Sequence, residues 1–457
     1  MPPESGWKPN LSSRVPRYAA LLETLAADIG SGALRPGDRL PPQRILARST
    51  GLSLGTITRV YAAAEQRGLV KGEVGRGTFV RDLADPASYS PEPDQSRIDL
   101  GPTMVPIEPG DLGQRALQAA LTQVSERSDL AGLSGYQSHG GSLQHRKAGV
   151  RWLDSLGVVA MPEEIILTAG AQHGTLIALN TLARGSSVMV EELTYPGLIG
   201  AARWLGLDLQ PIAMDPDGLH PEALARACEQ SPARVLYCMP THHNPTGTVM
   251  SSARRRQIAD IARAYDVTII ENGALAPLIA DPPPPIATLA PERTWYISSL
   301  AKATVPALRT GFLKVPVDRY QEVVDGVAAT LWSASPLLSA VAVQWINDGT
   351  ASAIRDARRA EIADRRRLAT RIMGSLIPSG HAMSCLIWID LPENAPALEL
   401  IREAMDHGVL IGPGHLFAAS PEHAPNAIRL SLGAAATTAN LAAGLTLLKQ
   451  LLQRNPS

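Results

Sequence analysis

The sequence predicts an α/β protein: a large domain on a mostly parallel sheet, preceded by a small module of three helices and a hairpin. Three observations carry this. From about residue 98 onward, short apolar runs alternate with amphipathic helical stretches. Before residue 82 the hydrophobic spacing is helical and ends in two short β-prone runs. Between them, residues 83–97 (LADPASYSPEPDQSR) hold three prolines and no apolar periodicity, the composition of an extended connector. The expected domains are residues 14–82, a linker over 83–97, and residues 98–457.

Composition bounds the function classes. A chain of 457 residues allows roughly two or three domains and a sizeable core. No apolar run approaches the roughly 20 residues a membrane span needs. The opening MPPESGWKPNLSS has no apolar signal core, so a cytoplasmic protein outside the membrane is expected. Cys228, Cys238 and Cys385 form neither a metal-ligand spacing nor an even framework, which fits a reducing compartment. The net charge of −1 is unevenly spread: residues 1–82 carry 12 Lys and Arg against 7 Asp and Glu, and the rest carries 30 against 36. A basic small module joined to an acidic large one points to nucleic acid at one end.

In the small module Tyr18, Leu21, Leu22, Leu25 and Ile29 recur at helical spacing, and Gly30 and Gly32 end that helix. After the Pro36-Gly37 turn, Pro42 opens a second helix where a first turn tolerates proline, and Gly51 stops it. Ser53 is a good N-cap for a third helix, with Ile57, Val60, Tyr61 and Ala64 on one face and Thr56, Thr58 and Arg59 off it. Leu69-Val70 and Thr78-Phe79-Val80 can pair around Val74-Gly75-Arg76-Gly77. This is the order of a winged helix-turn-helix, whose third helix enters the DNA major groove through its first turn.

In the large domain the strand candidates are residues 165–168, 188–190, 235–238, 267–270, 295–297 and 312–315, with helices such as 172–183, 218–229 and 252–265 between them. Ligands in such sheets bind at the carboxyl ends of the strands, and the polar motifs lie there. Thr168-Ala169-Gly170-Ala171-Gln172 follows the first strand, and its small residues let backbone approach a phosphate at a helix N-terminus. Tyr195-Pro196-Gly197 follows the second, Pro240–Gly247 the third, and Glu271-Asn272 ends the fourth. Lys302 follows the fifth. A lysine there can form a Schiff base with an aldehyde cofactor, and Ser299 and Arg309 are suited to holding its phosphate. Together they describe an anchor for pyridoxal phosphate (PLP). His173, His242 and His243 read as pocket lining rather than metal ligands, because no carboxylate or cysteine joins them at ligand spacing.

The small module closely resembles the GntR-type regulators in Gly32-Ala33-Leu34-Arg35-Pro36-Gly37-Asp38-Arg39-Leu40-Pro41, Arg44, Gly68-Leu69-Val70 and Gly75–Val80. The large domain resembles the fold-type I, class I/II aminotransferases, which implies a PLP-dependent transferase-like fold with a small C-terminal α+β subdomain. The fusion resembles the MocR subfamily of transcriptional regulators. The resemblance implies DNA contacts at Arg44, Ser53, Thr56, Gly75, Arg76 and Gly77. It implies Lys302 as the Schiff-base lysine, with Ser299, Arg309, Gln172 and the Ala171 backbone on the phosphate. Asn244 would bond the ring hydroxyl, Tyr195 would flank the ring, and Arg429 would take an effector carboxylate. Tyr136 matches a residue that reaches the partner subunit's site, which implies a homodimer.

The chain departs from these patterns in three places. Leu54-Gly55 stands where the GntR family has arginine after the N-cap, so a direct contact is absent or is replaced by apolar contact with a thymine methyl. Asn272 occupies the position of the aspartate that keeps the PLP ring nitrogen protonated, no tyrosine follows it, and Ala301 replaces a serine beside the lysine. A shift of one residue would instead put Glu271 at that nitrogen, and the sequence leaves both open. The expected function is a DNA-binding regulator whose PLP domain senses an amine or amino acid. The alternatives are a working aminotransferase with an accessory DNA-binding module, and a sensor that binds no PLP and serves only to dimerise.

Overall fold

The computed structural model describes residues 7, 9, 17–30, 34, 37–66, 69–73, 76–80, 97–106, 110–126, 133–378, 380–420 and 424–454. The chain divides into two units, Met1–Asp94 and Gln95–Ser457. Gly75, Gly32, Arg35, Pro36, Gly68 and all of the expected linker except Arg97 lie outside the described residues.

The first unit has helices α1 (Arg17–Gly30), α2 (Gln43–Thr50) and α3 (Leu54–Gln66), then strands β1 (Val70–Glu73) and β2 (Gly77–Val80). Leu21, Leu22, Leu25, Leu46, Ile57, Val60 and Tyr61 share one core, as their spacing requires. Gly51, at φ 67°, ends α2 in the left-handed region and returns its N–H to Ala47 O. Thr56 N donates to Ser53 Oγ at 3.1 Å, the N-cap bond of α3. The hairpin pairs Val70 with Val80 and Glu73 with Gly77.

The second unit is a three-layer α/β domain with a smaller α+β part. Strand β3 (Ile98–Asp99) leads into it, followed by α4 (Leu112–Ser125) and α5 (Leu143–Asp154). The central sheet uses β4 (Ile165–Thr168), β5 (Ser187–Glu191), β6 (Asp208–Ile212), β9 (Val235–Cys238), β10 (Thr268–Asn272), β11 (Thr294–Ser299) and β12 (Gly311–Lys314), with the short hairpin β7 (Met214–Asp215) and β8 (Gly218–Leu219) beside it. Its order is β4-β12-β11-β10-β9-β5-β6. β12 is antiparallel to both neighbours, while β11, β10, β9, β5 and β6 are mutually parallel. The buried strands read as continuous apolar runs because helices cover both faces. Those helices include α6 (Ala171–Leu182), α7 (Pro196–Leu205), α8 (Pro221–Gln230) and α9 (Ser252–Ala264).

After α10 (Ile286–Leu289), α11 (Tyr320–Thr330), α12 (Pro336–Asn347) and the long α13 (Thr350–Met373), the chain forms a second, antiparallel sheet. It consists of β13 (Leu386–Asp390), β15 (Gly412–Pro413) and β16 (Ala427–Ser431), with α14 (Ala397–Asp406) and α15 (Thr438–Arg454) packed on it. β14 (Val409–Leu410) pairs in parallel with β3, so the start of the unit is tied into its last subdomain. Among the described residues no helix is long and apolar enough to cross a membrane.

Candidate functional sites

Because β12 runs against its neighbours, the carboxyl ends of β4, β5, β9, β10 and β11 open on one edge of the sheet and β12 begins there. A Cβ at Gly311 would lie 2.8 Å from Ser298 O and 2.9 Å from Gly170 backbone, so only glycine lets this turn pass. Arg309, just before it, adopts φ 42°, a left-handed conformation uncommon for a side-chain-bearing residue. Its guanidinium lies over Gly170, where a Cβ would be 3.2 Å from Arg309 Nη2. An arginine is thereby held at the N-terminus of α6, which opens with Ala171 and Gln172. A fixed cation beside free helix N–H groups is a phosphate cradle.

Lys302 sits in the turn after β11. Ser299 holds that turn: its hydroxyl donates to Thr310 O at 3.3 Å and accepts from Ala301 N at 3.1 Å. Lys302 Nζ donates to Thr103 O. Burial, together with the nearby Arg429, Arg309 and Arg358 cations and against the opposing effect of Cys385, lowers the lysine to about 8. Tyr195 stands at the N-terminus of α7, half-buried; desolvation raises its phenol, while Arg309 acts in the opposite direction. Gln172 Nε2 donates to Gly197 O at 2.7 Å, and a Cβ at Gly197 would strike the Tyr195 ring at 2.3 Å. Tyr195, Gln172 and Arg309 thus gather around one space.

Asn272 ends β10 buried. Its Oδ1 accepts from Ala274 N at 2.9 Å and its Nδ2 donates to Tyr237 Oη at 2.6 Å. Glu271 points elsewhere: Oε2 accepts from Ala287 N at 2.8 Å, and Arg255 is its charge neighbour. The strand's alternation therefore puts Asn272, and not Glu271, on the side of Tyr237 and Tyr195.

Arg429, on β16, donates from Nη1 to Thr103 Oγ1 at 2.7 Å and from Nη2 to Gly101 O, and lies over the Phe417 ring at 4.9 Å. Asn244 Nδ2 donates to the same Thr103 Oγ1 at 3.4 Å. Lys302, Asn244 and Arg429 therefore meet at one residue that the sequence does not flag. Thr103 belongs to no motif. Tyr237, inside an apolar strand, reads as core, and Arg358 reads as one of many arginines on α13. Tyr136 is not brought to this site within the chain. It is 91% exposed and packs edge-on against Trp332 at 5.8 Å. His173 contacts Thr330, His242 contacts Ser384, and His243 contacts Thr246 and the Leu193 carbonyl.

In the first unit Arg44 is exposed on the first turn of α2. Ser53 and Thr56 face one another, with their hydroxyls 2.8 Å apart. Arg76 lies over the Phe79 ring at 5.8 Å. Gly77 has φ 124°, and a Cβ there would meet Arg39 Nε at 2.7 Å, so this wing turn requires glycine.

The residues present fit PLP. Gln172 Oε1 and Asn244 Oδ1 are buried and meet no hydrogen-bond partner among the described residues. Asn244 Oδ1 is an acceptor to which the ring hydroxyl of a phosphorylated pyridine can donate, while the phosphate itself needs donors, which the Arg309 guanidinium and the N–H groups that open α6 are placed to be.

Comparison with known proteins agrees. Residues 108–448 match the family model "Aminotransferase class I and II", and residues 17–80 match "Bacterial regulatory proteins, gntR family". The chain is 30% identical to the HTH-type transcriptional regulator YdeF of Bacillus subtilis, over 98% of this chain and 96% of that one. It is 27% identical to the probable rhizopine catabolism regulatory protein MocR of Rhizobium meliloti, over 85% and 81%. Among solved structures, an archaeal alanine:glyoxylate aminotransferase superposes with a TM-score of 0.73 at 21% identity, over 79% of this chain and 91% of that one. With a gntR-type module fused to an aminotransferase class I/II domain along its length, the chain belongs to the MocR subfamily of GntR-type transcriptional regulators, the aminotransferase-like branch whose cofactor is pyridoxal phosphate.

Proposed function

We propose that this regulator uses its PLP domain as a cytoplasmic sensor of an amine-bearing carboxylate, and that Thr103 reports occupancy of the site. The observation that carries this is the meeting of Lys302, Asn244 and Arg429 on Thr103. PLP supplies an aldehyde that a lysine amine can hold and an incoming amine can take over. Lys302 supplies that amine, and its lowered pKa leaves part of it uncharged near neutral pH. Arg309 and the Ala171 N–H fit the phosphate, joined by Gln172 once its amide N–H turns from Gly197 O, with Asn244 at the ring hydroxyl and Tyr195 at the ring.

Arg429 already holds two oxygens, Thr103 Oγ1 and Gly101 O, as it would hold the two of a carboxylate. An effector carboxylate would take both places and release the Gly101–Met104 segment. That segment follows the linker, so its release is a direct covalent route toward the DNA-binding module.

Asn272 sets what the site does not do. A backbone N–H can only donate, so the Ala274 bond fixes Oδ1 as acceptor and leaves Nδ2 facing Tyr237 and the ring side. The amide then offers an N–H to the ring nitrogen and no charge to keep that nitrogen protonated. Holding an amine needs no such charge, whereas removing its α-proton does.

A working aminotransferase is the second reading, favoured by the complete Lys302, Arg309 and Arg429 set. The test is an absorbance titration of the purified PLP-loaded protein with amino acids and plain amines. Spectral exchange with little conversion to pyridoxamine phosphate, accompanied by altered affinity for promoter DNA, supports the sensor. Sustained turnover with a keto acid supports the enzyme. A protein that takes up no PLP overturns both.

A further inference from the structure

We infer that the recognition helix α3 reads thymine methyl groups through Leu54, which its first turn exposes. The inference rests on the DNA-binding reading of residues 17–80 and adds to it the chemistry of the bases recognised.

The exposed surface at the start of α3 is made by Ser53, Leu54, Gly55, Thr58 and Arg59. Most of its polar groups are already engaged within the fold. Ser53 Oγ caps Thr56 N at 3.1 Å and faces Thr56 Oγ1 at 2.8 Å. Thr58 Oγ1 donates to Leu54 O at 3.0 Å and to Gln43 Oε1 at 2.8 Å. Arg59 turns back over the Tyr18 ring of α1, 5.9 Å from its centroid. What the first turn presents outward is an aliphatic side chain, Leu54, 45% exposed, next to Gly55, where a Cβ would meet nothing within 4 Å.

A single exposed leucine is ordinary on a protein surface. The same unit also exposes cations. Arg44 and Arg48 are exposed on α2, and Lys71 and Arg76 are exposed on the hairpin. Basic side chains on α2 and the hairpin, together with an exposed apolar side chain on the first turn of α3, are complementary to a duplex, whose phosphates border the groove floor. In the major groove the apolar feature of that floor is the thymine 5-methyl group. Gly55 removes the neighbouring side chain and lets the helix approach that floor closely. Thr58, one turn beyond Leu54, adds a second small side chain with a methyl of its own.

The test uses the full-length protein and a pool of random duplexes carrying fixed flanks. Bound sequences are selected from thymine-containing DNA. The winners are then remade with deoxyuridine at single thymine positions, which removes only the methyl. The expected result is a weakening of roughly threefold to fivefold at one or two defined positions, the worth of about one buried methyl. Leu54→Ala should abolish that dependence while still binding DNA. Leu54→Arg should also abolish it and shift the selected base toward guanine. Leu54 is exposed, so neither change disturbs the core. Equal affinity for thymine and uridine at every position overturns the inference while leaving DNA binding intact. Retention of the methyl effect in both Leu54 variants overturns the assignment to this residue. Failure of the parent protein to select any sequence overturns the DNA-binding reading itself, and this inference with it.

Discussion

Lys302 shows how much chemistry one environment can set. Burial and three neighbouring guanidinium groups bring its amine to about 8, well under the ordinary lysine value. Only the uncharged amine attacks an aldehyde, so the rate of PLP capture by the apoprotein should rise with pH through a midpoint near 8. Stopped-flow absorbance would measure this, and a midpoint above 10 would contradict the assignment. Lys302→Ala should leave no borohydride-fixed pyridoxyl group on the peptide spanning residue 302. Replacing Asn272 with Asp should raise the half-reaction to pyridoxamine phosphate by about 10² or more, because a charged partner for the ring nitrogen is restored. Removing the Thr103 hydroxyl by Thr103→Val takes an acceptor from Arg429 and Asn244. Effector affinity, read by calorimetry, should then tighten by up to about tenfold, since a bond to a charged group no longer competes. The same variant should respond less in DNA binding.

At the scale of elements, the helix starts and the strand ends are what the sequence reveals. Ser53 is recognisable as an N-cap because its hydroxyl can satisfy an otherwise unpaired N–H, and Thr56 N supplies it. Ser53→Ala should therefore destabilise the small unit by about 1 kcal/mol, visible as a lowered first transition in calorimetry of the whole chain. β4, β9 and β11 are legible because strands covered on both faces are apolar runs that end in polar motifs. β6 is not, since Asp208 and Pro211 read as turn residues. At the sheet edge a proline's missing donor costs no ladder bond. β15 has only two residues, and β16 carries no motif beyond Arg429, so neither announces a second sheet. Thr103 escapes for a related reason: its importance comes from bonds to residues more than 140 positions away, and no local pattern encodes those.

For the whole molecule, two measurements bear on how it works as a regulator. Replacing Arg44 and Arg76 with alanine should weaken binding to promoter DNA at fixed salt and make the log–log salt dependence shallower by about 2, roughly one unit for each phosphate no longer neutralised. Sedimentation should find a homodimer, because Tyr136 and Trp332 form an exposed aromatic pair and a two-fold dimer would present two recognition helices to paired half-sites. The Asn272 amide, proposed above to meet the cofactor ring, also governs how the protein ages. Asn272 precedes Gly273, and in a slack peptide that pair sheds ammonia through a cyclic imide and becomes aspartate or isoaspartate. Ring closure needs the Gly273 nitrogen to swing onto the side-chain carbonyl. In the folded chain that nitrogen donates to Ile297 O at 2.8 Å, while Ala274 N holds the amide oxygen. The hydrogen bonds that fix the amide therefore also preserve it, and a sample left partly unfolded would gain about one mass unit at residue 272 as some molecules convert to the carboxylate.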